Sequence, residues 1–478
     1  MSTNVPETNV SAGKLPTDDG GGCFALDVEE RTIPDAARGW WGKVRSGDPG
    51  VLPSMLGLVV LGILFSQLSG AFLTKANLGN IPGQGAYIAV IGLGLVFVLL
   101  LGEIDLSAGT AGGTCGAIAA VAVSSGNLHD GLPGLMYWCV VIGLLLAVGL
   151  AVWLKAWTAA VLVALGDVLV ITNLTQHLML GLLAAVCIGA AIGVLNGWLV
   201  AKVGIPSFVV TLALFLAWGG VTQFALKGQP INTSRYNFWY KLTFGNLTVA
   251  QSWGFTIILV GGYVAMSLLA SLRASRRGLS HDSLSLVAAR SGGVALVGIV
   301  LTVLACQDRG LGISVKKGIP TPAVVVLLLM IACAFALTRT TWGRHLYATG
   351  GNAEAARRAG IDVVDIKVTA FVLCSAFGAL GGIMLASYQS SASLDLGAGN
   401  VLLFAVAAAV IGGTSLFGGR GRPRDAVIGA VVIAMIPNGL QLNKTLGAEP
   451  QWQSVITGVV LLVAAAIDAI SRRRAARS

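Results

Sequence analysis

The sequence predicts an all-α protein, a polytopic transmembrane helix bundle with about 14 candidate spans (range 10–14), some of them Gly-rich broken or re-entrant helices. Three observations predict it. Of the 478 residues, 55% are apolar and only 11% charged, where a soluble domain carries about 25% charged residues. Mean hydropathy is +0.82. The 31 Lys and Arg residues are distributed unevenly about the apolar runs. These figures exclude a soluble enzyme, which needs charge to cover its surface. They also exclude a disordered chain, which needs low hydrophobicity.

Residues 1–50 form a polar N-terminal tail with acids at Asp18, Asp19, Asp27, Glu29 and Glu30. The tail lacks the basic start, short apolar core and cleavage site of a signal peptide, and reads as a cytoplasmic extension. The membrane domain runs over 51–471. A spanning helix needs about 20 mostly apolar residues. Candidate runs lie at 53–72, 83–101, 104–124, 135–153, 158–173, 178–200, 206–226, 251–272, 291–306, 320–337, 367–387, 401–417, 425–441 and 452–470. Three of these, 104–124, 158–173 and 401–417, are short or broken by glycine. The 64 glycines suit helices that approach closely in lipid. The longest cytoplasmic loop is 338–366, and a basic tail closes the chain at 472–478.

With the N-terminus inside and strict alternation, 23 basic residues fall on the cytoplasmic side and 8 outside. This is the asymmetry of the positive-inside rule, and it places both termini in the cytoplasm. The net charge of +10 then reflects topology rather than a nucleic-acid partner. Lys316 and Lys317 run against the trend, because the alternation puts them outside.

Chemistry-bearing clusters are few. The seven cysteines are dispersed, mostly within apolar runs, and read as small buried hydrophobes. The four histidines are scattered, HExxH is absent, and no metal site is expected. No GxxxxGK[ST] phosphate loop occurs.

Three motifs stand out. In LGEIDLSAGTAGG (101–113), Glu103 and Asp105 sit between two apolar runs. Acids there are costly and mark a functional site by default. The glycines that follow suit a broken helix lining a cavity. The acids also suit a plain cytoplasmic turn that caps the next helix, and the residues alone leave both readings open. In GGNAEAARRAG (350–360), Asn352 precedes a strong helix former and can cap it. A short surface helix presenting Glu354, Arg357 and Arg358 is either a solvated loop helix or a docking element. In IGGTSLFGGRG (411–421), paired glycines read as a tight bend between spans. Polar side chains available to line a path are Ser107, Asn196, Ser207, Thr211, Gln223, Thr369, Ser375, Thr414, Ser415, Asn438 and Gln441. Most such groups only bond neighbouring helices.

From about residue 52 onward the chain resembles a known group. EIDLSAG at 103–109, VLNGWLVAKVGIPSFVVTLA at 194–213, GIPTP at 318–322, RTTWGRHLYATGGNAEAARRAGIDV at 339–363 and VIGGTSLFGG at 410–419 are similar, in this order, to sugar permeases of bacterial ABC importers. The branch is that of ribose, xylose, arabinose and galactose, with the likeness greatest to xylose-type permeases.

The resemblance implies a multi-pass subunit of the bacterial inner membrane that translocates a monosaccharide by alternating access. It implies a cytoplasmic ABC ATPase partner, an extracytoplasmic sugar-binding protein and a paired, homodimeric permease. ATP is then hydrolysed by the partner, and this chain, a transporter subunit rather than an enzyme, binds no cofactor. It assigns the coupling segment to Gly351, Asn352, Glu354, Ala355, Ala356, Arg357 and Gly360, which match an EAAxxxG pattern in spacing. The longer form of that pattern ends in a hydrophobic residue and a proline, which this sequence lacks. About 124–177 stands out as an extra helical hairpin. Leu402 and Phe404 replace an acidic pair that the family usually shows. The alternatives are an ion-coupled secondary transporter, for which Asp105 and Asp167 are the candidate acids, and an ABC permease for a nucleoside or branched-chain amino acid. The first is discouraged by the lack of a clear internal repeat.

Overall fold

In the computed structural model, each of the thirteen apolar runs between residues 53 and 441 forms a helix. The structure describes residues 30–45, 52–277, 281–310 and 315–443, together with 451, 452, 454–456, 458, 459 and 462. Most of the tail at 1–50, most of the fourteenth run at 452–470 and the whole tail at 472–478 lie outside the described residues.

The helices, in chain order, are α1 Ile33–Arg45, α2 Leu52–Leu68, α3 Lys75–Leu100, α4 Ala108–Ser125, α5 Leu128–Gly131, α6 Gly134–Trp153, α7 Trp157–Ile171, α8 Leu178–Trp198 and α9 Ser207–Ala225. They continue with α10 Asn237–Phe244, α11 Val249–Arg276, α12 Leu284–Cys306, α13 Thr321–Arg339, α14 Thr341–Gly351, α15 Ala353–Arg358, α16 Val363–Tyr388, α17 Val401–Gly412 and α18 Pro423–Gln441. Among the described residues, ten helices are long and apolar enough to cross a membrane. Those in α2, α7 and α17 are apolar but shorter. The expected all-α, polytopic bundle is therefore observed.

Contacts divide the chain into two units, one of residues up to 40 with 257–298, the other of 41–256 with 299–478. In the first, Glu30–Arg31 pairs in parallel with His281–Asp282. There the Asp282 carboxylate accepts a hydrogen bond from Arg290 at 2.5 Å, and the Ser271 hydroxyl donates to the Asp282 carbonyl at 2.7 Å.

The second unit is built around α16, which packs against α3, α4 and α8. Lipid offers no hydrophobic drive between helices, so close van der Waals approach must hold them. Glycines supply that approach. A methyl group at Gly112 of α4 would overlap the Gly378 carbonyl of α16, and one at Gly382 would overlap the Gly112 carbonyl. Gly193 and Gly197 of α8 meet the α16 backbone at Phe371, Val372 and Val368 in the same way. The buried amides of Asn77 (α3) and Asn438 (α18) exchange two hydrogen bonds, each 2.8 Å.

On the outside of α6, Leu135, Trp138, Ile142, Leu145 and Leu146 are exposed. Their spacing of three and four residues makes an apolar face of the kind hydrocarbon solvates. Both α6 and α7 pack against α8. Near their turn, the Lys202 ammonium sits 5.5 Å from the centre of a Trp153 ring.

Candidate functional site

The polar residues of the first motif are gathered at the C-terminal end of α3. There Leu101, Gly102 and Glu103 turn their N–H groups back to Val98 and Leu99, and Gly102 takes φ +75°. That left-handed conformation costs a residue with a Cβ but not glycine. The turn sends the chain across the bundle to α4 through residues 103–107.

Three helices, α8, α9 and α16, hold this crossing. The Lys367 ammonium (α16) donates to the Glu103 carboxylate at 2.5 Å, with the two side chains only 23% and 17% exposed. The fully buried Asp105 accepts from the Ser107 N–H at 2.9 Å and from its hydroxyl at 2.7 Å. The Asn196 amide (α8) donates to the Ser107 hydroxyl oxygen at 3.1 Å. The Ile104 N–H donates to the Ser207 hydroxyl at 3.2 Å, and the Thr211 hydroxyl donates to the Ile104 carbonyl at 3.2 Å. Cys374 of α16 faces Asp105. Six sequence candidates, Glu103, Asp105, Ser107, Asn196, Ser207 and Thr211, thus form one connected cluster. Asp105 bonds the turn that opens α4 and is buried in the bundle.

Two chain segments distant in sequence close the same place. The Gly419 N–H donates to the Leu100 carbonyl at 2.8 Å. A methyl group at Gly350 would overlap that carbonyl. One at Gly418 would come within 2.9 Å of the Gly102 nitrogen and 3.0 Å of the Gly350 carbonyl. The Tyr347 hydroxyl donates to the Gly421 carbonyl at 2.7 Å. Residues 100–103, 347–351 and 417–421 therefore meet backbone to backbone, with no room for a side chain at Gly350 or Gly418.

The α15 helix begins one residue beyond this junction. Asn352 caps it, its side-chain oxygen accepting from the Ala355 N–H at 2.9 Å. Of its residues only Ala356 is buried, at 4%. Glu354 is exposed and pairs with Arg357 at 3.1 Å and Arg358 at 3.3 Å. Gly360, at φ +85°, ends the turn. Gly351 is exposed.

The remaining candidates do not join the cluster. Gln223 lies on the exposed face of α9, and Asn438 is engaged with Asn77. Thr414 is buried beside Gly421, and the Ser415 N–H donates to the Arg420 carbonyl at 2.9 Å, so both belong to the glycine bend. Leu402 and Phe404 are buried. Sequence reading missed Lys367 as the partner of Glu103, and missed Tyr347. The third motif, read as a bend, is indeed a bend but also a contact surface. A lone lysine opening an apolar run was the available signal for Lys367.

Among the described residues, ten helices long and apolar enough to cross a membrane, together with a buried polar crossing, define a polytopic integral membrane protein. Residues 156–465 match the family described as branched-chain amino acid transport system / permease component. The chain belongs to that family of permease components and is a multi-pass membrane protein. The Xylose transport system permease protein XylH of Escherichia coli K12 is 30% identical to it over 425 residues, 88% of this chain and 92% of XylH. XylH of Haemophilus influenzae is 29% identical over 436 residues, 90% and 99% of the two chains. The Ribose import permease protein RbsC of Escherichia coli K12 is 29% identical over 417 residues, 87% and 92%. No solved structure matches this chain.

Proposed function

We propose that this chain is the transmembrane permease subunit of a binding-protein-dependent ABC importer that brings a monosaccharide across the bacterial inner membrane. The observation that carries this is its likeness, over nearly its whole length, to permeases named for xylose and ribose. The ion-coupled alternative is not favoured by these relatives. In this reading the chain pairs with a second copy, receives sugar from an extracytoplasmic binding protein and docks on a cytoplasmic ATPase that hydrolyses the ATP. The chain itself holds no cofactor.

The geometry supports a route for coupling. The loops that strict alternation puts inside, at 101–107, 338–366 and 418–424, are those that meet around Leu100. In this reading α15 is the ATPase-docking element, through Asn352, Glu354, Ala355, Arg357 and the Gly351 and Gly360 turns, with Ala356 as its anchor. A push on α15 reaches Gly350 and Tyr347 directly. It passes by backbone contact to Leu100 and Gly419, and so to the Glu103–Lys367 pair. Outward-open and inward-open states differ in affinity for sugar, and nucleotide binding at the ATPase shifts the population between them. The α6–α7 hairpin is then the addition beyond the family's usual set, and both termini lie in the cytoplasm.

Copurification tests the docking assignment. Tagged wild-type chain is expected to bring an ABC ATPase out of native membranes. Glu354→Lys is expected to insert normally and lose it. An unchanged ATPase yield would sink the role given to α15.

A further inference from the structure

At the opposite end of α3 from Glu103 lies a cavity of 330 Å³, lined by Asn80, Gln84, Asn246, Arg309, Lys316 and Tyr388 among others. Between Gln84 and Leu100 the helix rises about 24 Å, so the cavity and the glycine junction occupy different ends of the bundle. Strict alternation puts its loops outside the cell. Its size falls within the range of small-molecule sites, about 300–1,000 Å³.

The cavity sets several polar side chains beside apolar ones such as Phe244 and Pro320. The Arg309 guanidinium is anchored by one nitrogen, Nη2, which donates to Asn246 Oδ1 at 3.0 Å and to the Gly318 carbonyl. The same guanidinium reaches Gly79, where a methyl group would collide with Nη1. Arg309 meets no carboxylate within 4.0 Å among the described residues. Lys316 likewise has none. The nearby Asp308 spends its Oδ1 on the Gly310 and Lys316 N–H groups, while Lys317 adds a further positive charge in the same loop. Two buried atoms, Arg309 Nε and Gln84 Oε1, have no hydrogen-bond partner among the described residues. Buried polar atoms are normally paired. Tyr388 contributes an aromatic ring, held by stacking on Tyr87 with centroids 5.7 Å apart.

Each part has a matching feature in one class of ligand. Amides at Asn80, Gln84 and Asn246 both donate and accept, as a ring of hydroxyls requires. The Tyr388 ring offers a flat apolar surface with a polar edge. An unpaired guanidinium beside an ammonium calls for an anion, and the guanidinium fork matches carboxylate and phosphate. We propose that this cavity binds an anionic monosaccharide, carboxylated or phosphorylated, and that the importer's cargo belongs to this class rather than to neutral pentoses. The statement about cargo rests on the importer reading above. The binding site itself does not.

The test is equilibrium binding to the full chain in nanodiscs, with radiolabelled D-glucuronate, D-glucose 6-phosphate and D-xylose as probes. At least one anionic probe should bind tenfold or more tightly than D-xylose, and the preferred one tells carboxylate from phosphate. Arg309→Gln should weaken that probe at least tenfold. Gln84→Leu, which leaves the Arg309 anchors intact, should also weaken it, and this variant guards against misfolding of the first. Equal or tighter binding of D-xylose, no anionic binding, or anionic binding indifferent to both substitutions would overturn the proposal. ATP-dependent xylose uptake without anionic binding defeats this inference and leaves the importer reading standing. Anionic binding lost in Arg309→Gln, in a chain that never copurifies an ATPase, does the reverse.

Discussion

The Glu103 carboxylate and the Lys367 ammonium, 264 residues apart in sequence, meet at 2.5 Å where α3 ends and α16 begins. A pair this shielded from water is not the weak ion pair of an exposed surface. Removing one partner leaves the other charge stranded, which costs about 3–5 kcal/mol for a fully buried pair and less here, where some exposure remains.

Glu103→Gln and Lys367→Gln should each lower sugar uptake by about tenfold or more at normal membrane levels. The exchange Glu103→Lys with Lys367→Glu should restore a substantial part of it. Uptake measured in cells carrying each variant checks this. Rescue distinguishes a mutual pairing from two independent roles.

Gly350→Ala puts a methyl group into the Leu100 carbonyl. Overpacking of this kind costs about 1–3 kcal/mol. The variant should show a lowered melting temperature in detergent and a loss of uptake that exceeds its loss of folded protein. Gly143→Ala in α6, where a methyl group meets nothing within 4 Å, serves as the control and should retain both.

Asn438→Leu strands the Asn77 side-chain oxygen in the core, while the Asn77 NH2 group keeps its bond to the Phe72 carbonyl. An unsatisfied buried polar group costs about 1–3 kcal/mol. The variant should therefore lose thermal stability, and the double variant Asn77→Leu with Asn438→Leu should recover part of it. Thermal melts of the single and double variants give the coupling between the two residues.

The span pattern was legible because hydrocarbon demands long apolar runs. The runs at 104–124 and 401–417 begin or end differently in the structure, with α4 starting at Ala108 and α17 stopping at Gly412. Both differences arise where glycine and polar turns replace helix. The cluster around Asp105 was legible in part, since acids inside apolar sequence are expensive enough to be noticed. In the sequence, Lys367 is only one more basic residue at the start of an apolar run. Gly418 and Gly419 were legible as a bend, but their contact with Leu100 and Gly350 is set by tertiary packing, which no local pattern encodes. The cavity at Arg309 was announced only by the misfit of Lys316 with the charge rule.

In the proposed function a partner ATPase drives transport through this chain. Uptake of labelled D-xylose and D-glucuronate into energised membrane vesicles tests it most directly, with ATP supply and the proton gradient controlled separately. Accumulation of at least one sugar is expected to require ATP and to persist when the proton gradient is collapsed. Uptake that continues without any ATPase and stops when the gradient is collapsed would contradict it.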